Sequence, residues 1–401
     1  MHPYLRARLS TMMFFQYFVH GATIPIFSLY LTGYLNFSGI QTGTILSMSA
    51  VAAFVSPLAG AFVADRRISA PRLYGLCHIV GGVIMGVLSF QYRFEPFLLL
   101  YLSYMIVFGP TNALSNAITF HHLPDAKQSF GTIRVWGTVG WIAVAWLFSF
   151  LWLRSGGTVV TSRLPDALKL SAMTSILLGF YGFTLPVAKI EYKEKIRLFP
   201  MEAFRVLVKK EVLLLSAVSF FVSFIDRYFY FGTAPFLRQI GFHEADIMPA
   251  MSLGQVPEVF AMVLLGFFIA RLGSKKVLAI GVLMEVARFA AFAVGAPVLL
   301  VLTGLSFHGI AYAFFFTTAF IYLDRHCDSN SRSGVHQLFA IINTGFGSFF
   351  GSLVAGKTLD FFKIPGTGQV DYQGFWAVPT FLSIFTFIVL ILLFRKKQKL
   401  L

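Results

Sequence analysis

The sequence predicts an all-α membrane protein of twelve transmembrane helices in two six-helix bundles. Three observations carry that prediction. Of the 401 residues, 57% are hydrophobic and 12% charged, whereas a soluble domain carries about a quarter charged residues. The apolar residues fall in runs near the ~20 residues a helix needs to cross hydrocarbon. The longest polar connection, 188–210, separates six such runs from six more.

The first six spans lie near 10–33, 39–64, 71–91, 94–121, 129–153 and 165–187. The second six lie near 211–239, 244–271, 275–295, 297–324, 331–358 and 373–395. The segment Met1 to Ser10 is short and basic and lacks a small-residue cleavage site, and the run after it is too long for a signal peptide. It reads as a retained first span. The chain thus divides into a bundle over 1–187, a basic linker over 188–210 and a bundle over 211–401.

Lys and Arg set the orientation. One side collects Arg6 and Arg8, the Arg66-Arg67-Arg72 loop, the linker, Arg271 to Lys276, Arg325 to Arg332 and the tail from Arg395. The other side is poor in both. Both termini and the linker are expected in the cytoplasm of a bacterium, with the spans in its inner membrane among lipids. The net charge of +15 is spread between spans and at the chain ends, not along one stripe, which excludes nucleic acid as the partner. Cys77 lies in an apolar run and Cys327 in a polar loop, so no disulfide is expected. No metal or cofactor is expected, and the chain is expected to act as a monomer.

Ionisable groups inside the spans point to function. A charge in hydrocarbon is costly and persists where it meets a cavity, a partner or a solute. Span 8 carries Gln255 and Glu258 three residues apart, on one helix face. Pro257 between them removes a backbone donor and frees a carbonyl one turn back. Glu258 sits about 20 Å along the span at 1.5 Å per residue, a depth that suits a proton carrier. Span 5 opens with Arg134, followed by Thr138, while Gly137 and Gly140 allow another helix to approach. Arg134 is charged at any depth; it serves a solute or carboxylate, or it anchors a helix end on loop carbonyls.

Span 7 places Asp226 beside Arg227, about 100° apart on a helix, so the two need not pair. Span 9 places Glu285 and Arg288 three apart, a spacing that allows a neutralised pair. His20 and His308 lie near mid-depth, as proton relays, hydrogen-bond donors or packing groups. The amides of Gln16, Asn112, Asn116 and Asn343 serve a solute or glue helices together.

The two halves share a loop signature. After span 2 the chain reads Ala61-Phe-Val-Ala-Asp65-Arg66-Arg67, and after span 8 Gly266-Phe-Phe-Ile-Ala270-Arg271-Leu-Gly273-Ser-Lys275-Lys276. Both resemble the cytoplasmic motif of the major facilitator superfamily, which implies a gating role for Asp65 and Arg66. Four stretches narrow the resemblance: Arg134-Val-Trp-Gly137-Thr138-Val-Gly140, Gln255-Val-Pro-Glu258, Arg288-Phe-Ala, and His308-Gly309-Ile-Ala-Tyr312-Ala313-Phe314-Phe315-Phe316. Together they look like the bacterial nucleoside:proton symporter family, over nearly the whole chain.

That resemblance implies proton-driven nucleoside uptake by alternating access. It implies that Arg134, Thr138, Gln255, Glu258, His308 and Tyr312 bind the solute. An amide suits a base edge, and a carboxylate accepts from ribose hydroxyls. The family usually carries an acid where this chain has Ala313, so coupling is expected to rest on Glu258, with Asp226 as a second group. The alternatives are a proton symporter for a sugar or aromatic acid, and a non-transporting scaffold or receptor. An enzyme is not expected, because no nucleophile with its base and no metal-ligand spacing lies near one interface.

Overall fold

A computed structural model describes residues 3–55, 68–123, 126–156, 163–187, 201–328 and 331–393. Asp65 and Arg66 lie outside the described residues. Among the described residues, eleven helices are long and apolar enough to cross a membrane: α1 Pro3–Tyr34, α3 Ala70–Leu88, α4 Phe94–His121, α5 Phe130–Leu153, α6 Pro165–Thr184, α7 Lys210–Gln239, α8 Glu244–Leu272, α9 Ser274–Val294, α10 Val298–Asp324, α11 Gly334–Phe361 and α12 Tyr372–Leu393. The position of span 2 holds a shorter described helix, α2 Gly39–Val55. A further helix, Met201–Leu207, precedes α7. The pairing of Lys363 with Val370 is an isolated bridge outside any strand.

Local sequence sets several ends. Ser38 opens α2 through a capping box with Gln41, which satisfies two backbone donors that a helix start leaves open. Gly295 ends α9 at φ +71°, a left-handed conformation that glycine adopts without a Cβ penalty.

The chain forms two compact units: Met1–Ile196 with Gly241–Ser252, and Arg197–Ile240 with Leu253–Leu401. In the first unit α1 packs along α5 and α6, and α3 along α6 and α4. The second unit repeats those pairings six helices later: α7 with α11 and α12, α9 with α12 and α10. The internal repeat suggested by the loop signature is therefore present in the packing.

The repeat extends to single residues. A Cβ on Gly140 of α5 would stand 2.1 Å from the Phe14 carbonyl of α1, and one on Gly351 of α11 would stand 2.3 Å from the Phe224 carbonyl of α7. Lipid supplies little hydrophobic drive between helices, so close backbone approach through small residues does much of the joining. Apolar clusters complete each unit. Leu9, Met12, Tyr74, Leu114 and Leu178 join α1, α3, α4 and α6, and Leu215, Leu278, Phe315 and Phe339 join α7, α9, α10 and α11.

Candidate functional site

Helix α8 is interrupted where its sequence is most polar. One segment ends at Ser252, Leu253 and Gly254 form a turn, and the helix restarts at Gln255. Pro257 lacks the donor that would have served the Leu253 carbonyl. Gln255 and Glu258 thus occupy the first turn of a helix that begins in mid-span, and both are half-buried. Broken helices of this kind place backbone groups and helix ends where solutes and ions bind in transporters.

The restart is pressed against α10. A Cβ on Gly309 would lie 2.0 Å from the Gly254 carbonyl and 2.6 Å from the Glu258 nitrogen. Only a glycine lets α10 pass there. His308 is the preceding residue, and Tyr312 lies three beyond Gly309, exposed and in ring contact with Phe316. The backbone of α10 then adopts a π-helical stretch, Ala313–Thr317. Ala313 is fully buried in an apolar cluster with Ala261, Leu265 and Val277.

Beside these residues, α7 and α9 hold a compact ionic set. Arg288 is fully buried. It bonds Glu285 on its own helix, donates to Asp226 Oδ1 at 3.2 Å and meets His308 Nδ1. Its guanidinium lies 4.5 Å from the ring centres of both Phe229 and Phe289. Asp226 Oδ2 accepts from Arg227 at 3.1 Å, and Arg227 stacks over Tyr230 at 4.7 Å. The neighbours Asp226 and Arg227 do pair: the long arginine side chain bridges the 100° that separates them. The i, i+3 pairing of Glu285 with Arg288 is as expected. Tyr230 links this set to α10, since its hydroxyl lies 3.4 Å from His308 Nε2.

The first unit has its own polar centre. Arg134 is half-buried and lies over the Tyr17 ring at 3.9 Å. A Cβ on Gly137 would stand 2.5 Å from Tyr17, so this glycine makes room for the stack. Thr138, four residues beyond Arg134, shares its face and is half-buried. Arg134 is therefore engaged in the helix packing.

Gln16 on α1 is the hub of this centre. It contacts Thr111 at 3.0 Å, Asn112 at 3.3 Å and His20 at 3.3 Å, and its carbonyl meets His78 Nε2 at 2.8 Å. His78 Nδ1 in turn meets Ser175 at 2.9 Å. All of Gln16, His78 and Thr111 are fully buried. Sequence reasoning singled out His20 and passed over His78, although an imidazole in the middle of span 3 gives the same signal. Asn343 accepts from Ser223 at 3.1 Å and joins α11 to α7. Cys77 and Cys327 are both free thiols.

Residues 4–399 match the family model described as Nucleoside H+ symporter. The xanthosine permease of Escherichia coli (strain K12) is 27% identical over 392 residues, 92% of this chain and 91% of that protein. The nucleoside permease NupG of the same organism is 27% identical over 417 residues, 98% and 97% of the two chains. The crystal structure of the nucleoside transporter NupG matches with a TM-score of 0.87 at 24% identity, over 98% of this chain and 100% of that one.

Proposed function

We propose how transport runs here from the premise that the chain belongs to the nucleoside H+ symporter family. It is a membrane transporter, not an enzyme, with the twelve-helix major facilitator fold, and it couples nucleoside movement to protons. In our reading the interrupted α8 is the centre of the mechanism. Gln255 meets a base edge. Glu258 accepts from ribose hydroxyls and carries the coupling proton. Tyr312 belongs to this group, and Arg134 and Thr138 are further solute-binding residues in our reading; His308, with Nδ1 on Arg288 and Nε2 on Tyr230, supports the site without itself binding the solute.

The observation that carries this assignment is the mid-span restart of α8 against Gly309. It sets a titratable carboxyl and an amide side by side on a rigid first turn. Asp226, the other candidate for coupling, has one oxygen on Arg288 and the other on Arg227. Protonating it would take a counter-charge from the buried Arg288 and the half-buried Arg227. We therefore assign Asp226 as their counter-ion and coupling to Glu258.

The halves 1–187 and 211–401 are the moving bodies in this scheme, joined by 188–210. Asp65 and Arg66 gate the cytoplasmic side. The protein works as a monomer surrounded by lipid in a bacterial inner membrane, with both termini cytoplasmic. The test is labelled uridine and adenosine uptake into cells expressing the chain. Uptake should rise on expression and collapse with a protonophore. Indifference to the protonophore refutes coupling, and no uptake of any nucleoside refutes the substrate class for this chain.

A further inference from the structure

A guanidinium donates hydrogen bonds and never accepts them. Arg288 Nη1 meets His308 Nδ1, so that ring nitrogen must offer its lone pair. An imidazole that accepts at Nδ1 keeps its proton on Nε2. The Asp226 carboxylate also lies 3.7 Å from Nδ1, but its Oδ1 already accepts from Arg288 at 3.2 Å. A doubly protonated ring would set N–H against N–H and a cation against a cation. The groups facing His308 from α7 and α9 are thus Asp226, Arg227, Phe229, Tyr230 and Arg288, and together they hold it neutral. Phe229 stacks on the ring at 4.2 Å and fixes its plane.

The next bond follows in direction from the first. His308 Nε2–H faces the Tyr230 hydroxyl at 3.4 Å. A phenol that accepts there must send its own proton elsewhere. Tyr230 is half-buried, and its partner His308 lies against the restart of α8 that carries Gln255 and Glu258: a Cβ on Gly254 would stand 3.5 Å from His308 Cβ.

We propose that Arg288 is a positioning residue that fixes a one-way donor chain through His308, and that Tyr230, at its end, selects nucleosides whose base offers a carbonyl rather than an amino group. The proposal rests on the reading of this site as a nucleoside site. Its chemistry is that of base edges. The exocyclic oxygens of uracil and hypoxanthine accept, while the amino groups of cytosine and adenine donate. An amino group set against a fixed hydroxyl donor leaves both without an acceptor, and buried unpaired groups are what give polar sites their selectivity.

The experiment uses the full chain in nanodiscs. Uridine binding is competed with cytidine, and inosine binding with adenosine, for the wild type, Tyr230→Phe and His308→Asn. The wild type should favour the oxo member of each pair by about tenfold or more. Tyr230→Phe keeps the ring and the Arg227 stack and should bring the ratio to within about twofold. His308→Asn can accept from Arg288 through its carbonyl and donate onward through its NH2, and should retain the preference.

A second readout is independent of nucleoside binding. In 15N-histidine spectra, His308, assigned by its loss in His308→Asn, should show the neutral Nε2–H form from about pH 5 to 8. Equal affinities in the wild type, a preference that survives Tyr230→Phe, or an imidazolium or Nδ1–H form of His308 would each overturn the proposal. A wild type that binds no nucleoside, with His308 still locked as Nε2–H, would instead overturn the nucleoside reading beneath it.

Discussion

Replacing Glu258 with Gln should separate binding from energy coupling. Among the described residues, the mid-span carboxyls are Asp226, Glu258 and Glu285. Asp226 and Glu285 are bonded to arginines, and our scheme assigns the uptake and release of a proton in each cycle to Glu258. A neutral nucleoside moving with one proton carries one charge. One charge crossing about 100 mV gains about 2.3 kcal/mol, and at 1.36 kcal/mol per tenfold this sustains roughly a 50-fold accumulation. Each pH unit across the membrane adds about another tenfold.

Glu258→Gln preserves shape and removes a titratable group from the membrane, so abundance and melting temperature should hold. Accumulation should fall from that limit to equality with the outside, while exchange of labelled for unlabelled nucleoside continues. The assay is uptake in proteoliposomes with an imposed potential and pH difference, beside counterflow in the same vesicles. A Glu258→Gln variant that still concentrates nucleoside several-fold would refute the assignment. A variant that has lost counterflow as well would show Glu258 to be needed for binding itself.

Two further outcomes follow from the packing. Arg134→Lys keeps the charge but loses the planar face that stacks on Tyr17, and the half-maximal concentration for uptake should rise about tenfold; unchanged uptake at unchanged abundance would remove Arg134 from the site. Gly309→Ala forces a Cβ into the Gly254 carbonyl, and overpacking of this kind costs about 1–3 kcal/mol. The variant should melt earlier and transport less, and wild-type melting and transport together would show that α10 and α8 have slack at this crossing.

The spans were legible because hydrocarbon imposes its thickness on the sequence, yet their ends were not. Span 1 was expected from residue 10, whereas α1 starts at Pro3, because its first turns carry Arg6 and Arg8 and read as polar. A helix continues past the bilayer edge for as long as its backbone bonds hold. Span 11 runs to Phe361 for the same reason, through Lys357 and Asp360. The break in α8 was partly legible, since Pro257 announces a freed carbonyl. The π-helical stretch at Ala313 had no sequence signature.

Candidate residues followed a similar division. Glu258 stood out by charge and depth alone. The role of Gln16 was hidden because its partners Thr111 and His78 lie 95 and 62 residues away, and only the fold brings them together. Arg288 was legible as half of a pair with Glu285, but its second and third polar contacts, Asp226 and His308, come from other helices.

The two units meet the cost of polar groups in the membrane by different chemistry, and the difference bears on coupling. The centre of the first unit joins uncharged groups that bond one another, Gln16, His78, Thr111 and Ser175, to the cation Arg134 stacked on Tyr17. The centre of the second is ionic but closed: two acids and two arginines balance, and His308 is held neutral by Arg288. Most polar atoms of both sets are paired within the protein, while Arg227 Nε and Arg288 Nε are buried without a partner among the described residues. A proton on Asp226 or Glu285 would break that balance and leave a buried guanidinium uncompensated. In our scheme the charge that varies during transport is the one on Glu258, on the same helical turn as the amide of Gln255, so that solute contact and proton uptake act on one rigid element.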